Sequence, residues 1–470
     1  MNRFKELAKN TIIITIGRIS TQLITFLLLP LYTAKLSTNE YGIVDFITTL
    51  VQLFIPIVSI MIDQAVFRYL LNCKTEEDCK KNISSAFVIL SISNFAVLVI
   101  FLIISLFYFS KYSIWVLLIL IVTAYSNFFL QVSRGLKRTT DYAIGSFVCS
   151  STTILLNVIC IVALKMGAIG MIVSTFLGNV LCNIYLYFKL KMYKYISVYN
   201  FDKKIAKQQL KYSIPLIPNQ LSLWIMNSSD RLIVSWFLGM SATGILAISH
   251  KFPSIFMTFY NIFQLAWHET GTTHYNEDDR DEFFSKMFDS VITVFTILCC
   301  GIIVVLPLVF DILINKKFFE AYYNIPIYMI AFLFNIVIGF LGVIYVATKK
   351  TTEIAKTTII AAAINILVNI LLVNKIGLYA SSFSTLAGYL IMMFYRIKDS
   401  KKYLNIKFNM KKLFVMTMIL IIYVVIYYFN NKILSIIGFV LFIPLILFLN
   451  KSLIKSTFKV LKERKNKIEK

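Results

Sequence analysis

Apolar runs of helix length recur from one end of the chain to the other, separated by short polar breaks. A bilayer core takes about 20 apolar residues per helix. Runs near that length lie at 11–34, 43–71, 83–109, 112–133, 143–164, 168–188, 212–238, 243–267, 287–310, 324–347, 354–373, 377–396, 413–429 and 432–450. The pattern predicts an all-α integral membrane protein with about fourteen transmembrane helices. The breaks alternate in character. One set is short, as at 35–42 and 315–324, while the other includes the longer segments 189–211, 268–286 and 397–412.

Polar residues inside four of these runs fall on single helical faces. In the first, Thr11, Thr15, Arg18, Gln22 and Thr25 step by three or four, which places them on one side. The seventh run repeats this with Ser213, Gln220, Trp224, Asn227 and Arg231. The second carries Asp45, Thr49, Gln52, Ser59 and Asp63, and the eighth carries Lys251, Ser254, Thr258, Asn261, Gln264 and His268. Single Ser and Thr residues in such runs are usually ordinary helix–helix packing. Arg18, Arg231 and Lys251 are not, because charge in hydrocarbon is costly and marks a wet path or a partner. At 1.5 Å per residue, Arg18 lies about 12 Å from the inner end of its helix, with Arg231 about 10 Å and Lys251 about 12 Å from the outer end.

The candidate substrate-binding set is therefore Arg18, Gln22, Gln220, Asn227, Arg231, Lys251 and Asn261, facing a central cavity. Asp45, Asp63 and Asp230 are candidates for ion coupling or gating, with an interfacial anchor the simpler reading for Asp63 and Arg68. Pro215 and Pro218 open the seventh run, where they shape a helix entry or serve as a hinge.

The chain also repeats itself. A shift of 202 residues aligns Leu36 with Leu238 and Gly42 with Gly244. Further on the shift becomes 212, matching Thr139-Thr140-Asp141 to Thr351-Thr352-Glu353 and Asn157 to Asn369. After a two-residue gap, Ser174-Thr175 and Gly178 match Ser384-Thr385 and Gly388. The unit is six helices, an even number, so both copies enter the membrane from the same side. Parallel repeats of this kind are a transporter design. The expected organisation is a six-helix lobe over 1–190, a basic linker over 191–211 and a second six-helix lobe over 212–400. Two additional helices over 401–450 and a basic tail over 451–470 follow.

Composition agrees with a membrane protein. Of 470 residues, 58% are hydrophobic and 15% charged, against about a quarter charged in soluble domains. The net charge of +24 would suit nucleic acid, but most of the basic residues gather in alternate breaks, as the positive-inside rule demands. The longer breaks are then cytoplasmic, as are both termini, and anionic lipid rather than nucleic acid attracts them. Phe4 with Leu7, Phe201 with Ile205, and Ile454, Phe458 and Leu461 read as basic flanks lying on the membrane surface. The seven Cys show no metal-ligand spacing, the three His sit at 250, 268 and 274, and no P-loop is present. No enzyme chemistry is expected, and no cofactor beyond coupling to an H+ or Na+ gradient.

Several of these residues carry a family resemblance. Tyr212-Ser-Ile-Pro-Leu-Ile-Pro218, Leu221-Ser-Leu-Trp224, Ser229-Asp230-Arg231 and Phe237-Leu-Gly239 with Gly244 resemble the opening of the second half of Wzx-type polysaccharide flippases. Leu29-Pro30-Leu-Tyr-Thr33 and Leu36-Ser-Thr-Asn-Glu-Tyr-Gly42 resemble that family's first external turn. Leu246 stands where the family often has Tyr. The resemblance implies membership of the multidrug/oligosaccharidyl-lipid/polysaccharide exporter superfamily, with two MATE-like six-helix lobes around a central cavity. It also implies a lipid-linked oligosaccharide on an undecaprenyl diphosphate carrier as substrate, polysaccharide polymerase machinery as a partner, and the bacterial cytoplasmic membrane as location. Capsule or lipopolysaccharide export would be the setting. A lipid II flippase and a drug or cation antiporter of the same fold are the nearest alternatives, although a cationic substrate would favour acids over the basic residues found at depth. A membrane-embedded sugar polymerase or ligase is further off, because every external break is short.

Overall fold

The computed structural model describes residues 26–107 and 110–449. Regular structure among them is helical throughout, and nine helices are long and apolar enough to cross a membrane. The chain divides into two compact units, Met1–Gly244 and Ile245–Lys470. The sequence repeat opens its second copy at 212, whereas the helices around 203–237 belong with the first unit.

In the first unit, α1 (Leu29–Lys35) leads into α2 (Thr38–Val58) and α3 (Ile62–Leu70). The capping box of Ser37 and Glu40 starts α2, with each side chain taking the other residue's backbone N–H. Residues 43–71 were expected to form one helix; the structure breaks it at Ser59–Met61, where Ile60 and Met61 both have φ near +50°. Such conformations cost non-glycine residues energy, and local bonds offset it. Ser93 Oγ donates to the Val58 carbonyl at 2.7 Å, and Ser59 Oγ accepts from the Met61 N–H at 3.1 Å.

Next come α4 (Glu76–Ser105), capped by Thr75 and Asp78, then α5 (Ser113–Gly135), α6 (Thr139–Val158, extended by a wider turn at Ile159–Ala163) and α7 (Gly167–Lys189). The linker that follows is strapped across the start of α4 rather than hanging free. Ser84 Oγ donates to the Tyr195 carbonyl and accepts from the Ser197 N–H at 3.1 Å. Its neighbour Ser85 donates to the Asp202 carbonyl at 3.3 Å and accepts from the Asp202 N–H at 3.0 Å. The Asp202 side chain then caps α8 (Lys203–Ser213), and the backbone N–H of Ile205 holds its carboxyl below the usual carboxylate range. Gln209 of α8 is fully buried and donates to both oxygens of Asn82. Helix α9 (Leu216–Phe237) completes this set, and α10 (Met240–Ser249) straddles the boundary between the units. Pro215 is the N-cap of α9 and Pro218 lies in its first turn, so both shape the entry and neither interrupts the helix interior.

The second unit holds α11 (Lys251–His274), α12 (Arg280–Leu313), α13 (Ala321–Ala347), α14 (Thr351–Ile376), α15 (Tyr379–Ser400), α16 (Met410–Tyr428) and α17 (Lys432–Leu449). The run expected at 243–267 is thus divided at His250 between α10 and α11. An aromatic core forms around Trp267, whose ring stacks on Phe340 at 4.4 Å while Nε1 donates to the Phe340 carbonyl at 3.1 Å. The last two helices lie against α12.

The repeat is visible in each unit taken by itself. α3 packs on α5, α5 on α7 and α6 on α7; α11 packs on α13, α13 on α15 and α14 on α15. The turns match at backbone level. Lys137 and Lys349 have φ of +61° and +59°, and the next residues, Arg138 and Lys350, each donate to a carbonyl five residues back at 2.8 Å. The cores have diverged. Gly145 packs against Leu186 in the first unit. At the equivalent places in the second, Thr357 Oγ1 accepts from Arg396 Nη2 at 3.0 Å and from Nε at 3.3 Å. Arg396 is buried and also donates to the Ile338 carbonyl at 2.9 Å.

Candidate functional site

The polar stripe of α9 forms because 3.6 residues per turn bring every third or fourth side chain to one face. Gln220 and Asn227 on that stripe are exposed, with Trp224 and Arg231 half-buried, whereas Ser228, Ser229 and Asp230 are buried. The Asn227 side-chain amide donates to the Leu223 carbonyl at 2.8 Å within the helix. Asp230 accepts from the Arg231 N–H at 2.9 Å.

The main feature of the site joins two candidates from different stripes. Helix α2 packs on α9, and Arg231 Nε lies 3.0 Å from Asp45 Oδ2, each side chain being under one-fifth exposed. The contact is an ion pair lying off the N–H axis, while Arg231 Nη1 reaches Ser228 Oγ at 3.4 Å. The pairing meets the requirement that charge inside a membrane find a counter-charge. Each side chain keeps a small exposed fraction beside the contact, and the fork of a guanidinium suits carboxylate and phosphate oxygens.

The approach of α2 to the chain after α9 rests on glycine. A Cβ at Gly42 would lie 1.8 Å from the Met240 carbonyl oxygen, and one at Gly244 would lie 2.0 Å from the Thr38 carbonyl oxygen. Thr38 Oγ1 and Ser241 Oγ meet beside them at 2.6 Å. These glycines are the repeat partners noted in the sequence, and each fits against the other's copy of the turn. Any larger residue would separate the backbones.

Lys251 and Asn261 lie on α11 in the second unit, half-buried and exposed respectively, with Thr258, Gln264 and His268 half-buried on the same face. The opposite face, with Phe252, Phe256, Tyr260 and Trp267, is buried. On α2 the stripe is less uniform: Gln52 is exposed, but Thr49 and Ser59 are buried. Asp63 does not sit inside a long helix as expected; it opens α3 just past the break, is buried, and accepts from Gln64 Nε2 at 2.7 Å. Arg18 and Gln22 lie outside the described residues.

Two arrangements escape sequence reasoning. Arg396 ends the predicted run 377–396, and nothing in that position alone sets it apart. Its signal was the repeat, which sets an arginine where the first copy has Leu186. Ser84 and Ser85 read as small residues within an apolar run, with nothing to mark them as a clamp.

No curated protein matches the chain in sequence. Solved structures do match in fold. A lipid II flippase, MurJ, in an inward closed conformation aligns with a TM-score of 0.70 at 17% identity, over 94% of this chain and 100% of that one. A MATE in complex with MaL6 gives 0.58 at 13% identity, over 84% and 95%. A transporter of the MOP superfamily from Pyrococcus furiosus gives 0.57 at 12%, over 84% and 95%. They are by name a flippase, a MATE and a MOP superfamily transporter, and they show the fold to be of the MurJ and MATE type. In sequence, residues 7–267 match the family described as polysaccharide biosynthesis protein, a stretch that includes α2, α9 and the Asp45–Arg231 pair. A multi-span helical chain with a flippase fold and that match over more than half its length belongs to the polysaccharide biosynthesis protein family.

Proposed function

We propose that the chain flips undecaprenyl-diphosphate-linked oligosaccharide units from the inner to the outer leaflet of the bacterial cytoplasmic membrane, by alternating access, for export of a surface polysaccharide. The carrying observation is Arg231, an arginine on the polar stripe of a helix in a family of polysaccharide biosynthesis proteins, paired with Asp45 and still partly exposed. Arg231, Lys251 and Arg18 supply charge for the diphosphate, and Gln22, Gln220, Asn227 and Asn261 supply amides for the sugars. The lipid tail stays in the bilayer. Asp45, Asp63 and Asp230 are the groups through which an H+ or Na+ gradient would couple. The termini and the basic strap face the cytoplasm, where the polymer machinery's lipid-linked precursors are made.

Complementation of a polymer-producing strain that lacks its own flippase tests this reading, with expression checked by blot. The wild-type chain restores polymer, and the triple change of Arg18, Arg231 and Lys251 to Gln does not. Rescue of a strain depleted of its lipid II flippase instead would assign the chain to lipid II. Altered drug tolerance with no polymer restored would favour the antiporter and overturn the proposal.

A further inference from the structure

Helix α4 leaves one apolar face uncovered, as a side turned to lipid would be. Only 17% of its most apolar stretch is buried, and Ile92 and Phe95 are about two-thirds exposed. The strap crosses this face near its start and encloses a groove of about 230 Å³ against it. It is lined by Ser84, Phe87, Val88, Ser91 and Ile92 of α4 and by Ile196, Ser197 and Val198 of the strap, with almost all of its exposed surface apolar. The wall is firm, since Phe87 packs against Tyr125 and Phe128 at 5.7 and 6.0 Å between ring centres. Ser84 also fixes the strap from both sides. From Ser84 to Ile92 the groove follows the helix for about 12 Å at 1.5 Å per residue.

Two properties identify what fits it. The exposed lining is almost wholly apolar and runs on from Ile92 toward the uncovered Phe95 of α4, which points to an occupant drawn from the bilayer. The strap that forms one side of it belongs to a strongly basic segment: residues 189–211 contain seven lysines and a single acid, Asp202. Lys191, Lys194, Lys203, Lys204 and Lys207 are exposed, as are Tyr193, Val198 and Tyr199, the last at 99%. Exposed tyrosine beside lysine is the composition of a membrane interface. Basic clusters at the end of a spanning helix attract anionic headgroups.

We propose that this groove is a binding site for an anionic phospholipid, one acyl chain lying between α4 and residues 196–198 and the phosphate held by the strap lysines. The bound lipid closes the outer side of the strap, bracing the segment that leads through α8 into α9 and thus to Arg231. The site stands whatever the transported substrate proves to be.

Native mass spectrometry of the full-length, delipidated protein tests it, with phosphatidylglycerol or phosphatidylcholine of the same chains added back. Each lysine near an anionic headgroup contributes about fivefold in affinity. The wild type should retain phosphatidylglycerol at least about fivefold over phosphatidylcholine. The double change Lys194→Gln with Lys203→Gln should bring that preference to parity. Val198→Asp, at an exposed position that folding does not need, should weaken retention of both lipids by lining the groove with charge. Phe95→Ala, on the same helix beyond the groove, should change neither. Equal retention of the two lipids by the wild type would overturn the proposal, as would a phosphatidylglycerol preference that survives the double lysine change, or unchanged retention in Val198→Asp. Displacement of the phospholipid by an equal concentration of undecaprenyl phosphate would also overturn it, because the groove would then hold the carrier.

Discussion

The Asp45–Arg231 pair sets a quantitative expectation. At 3.0 Å, unit charges attract by about 5.5 kcal/mol at an effective dielectric constant of about 20, before desolvation is subtracted. Removing one partner strands the other in a poorly hydrated place, at a cost of about 3–5 kcal/mol for buried pairs. Both side chains here are slightly open, so the lower end applies. Arg231→Gln and Asp45→Asn should each lower the melting midpoint in detergent, and the double variant should fall well short of the summed losses. A coupling of about 2 kcal/mol is expected, within the range for residues in contact. Function should separate the two singles. Asp45→Asn frees the guanidinium and should tighten binding of a diphosphate headgroup, while Arg231→Gln should weaken it by one to two decades, the worth of a charge-assisted hydrogen bond. Additive single effects, agreeing within about 0.5 kcal/mol, would refute the pairing. Equal loss of binding in both variants would refute the idea that Asp45 competes with the substrate.

Gly42→Ala or Gly244→Ala should be strongly destabilising, because either Cβ meets a backbone carbonyl at 2.0 Å or less; thermal melts and expression level report it. Arg396→Leu alone should cost several kcal/mol by leaving the Ile338 carbonyl and the Thr357 hydroxyl without their donor, and adding Thr357→Gly, which recreates the Gly145–Leu186 arrangement of the first unit, should recover part of the loss in the same melt. Ser84→Ala with Ser85→Ala removes the clamp, so residues 191–202 should be cut faster by protease and exchange amide hydrogens faster. Cysteine placed at the fully exposed Tyr199 should react with a membrane-impermeant thiol reagent only after cells are opened; labelling of intact cells would invert the proposed topology.

The helices were legible because hydrocarbon length and apolar run length are the same quantity. The break at Ser59–Met61 was not, since Ile60 and Met61 are long apolar residues that give no sign of a left-handed turn, and the bond that supports it comes from Ser93, far along the chain. Periodicity placed Asp45 and Arg231 on polar faces but says nothing of the register between two helices, which is what brings them into contact. Arg396 was hidden by position, because an arginine closing a membrane run has the same sequence signature whether it reaches headgroups or turns inward. Only comparison of the two copies, Leu186 against Arg396, separates those cases.

Gly42 and Gly244 are the same residue of a duplicated unit, and each lies against the other's copy of Thr38 or Met240. Before duplication, that glycine would have belonged to a half-length chain, and the only surface of this shape for it to meet would have been its own twin on a second molecule. A contact in which one patch faces an identical patch is the interface of a two-fold homodimer. In such a dimer every substitution at the seam is felt twice, which holds the glycine in place; after gene fusion the two sides change separately. In the present chain the glycines are the same in both copies and the residues they face differ, Thr38 on one side and Met240 on the other. The seam thus has the form that a two-fold contact between two copies of the half-length unit would take.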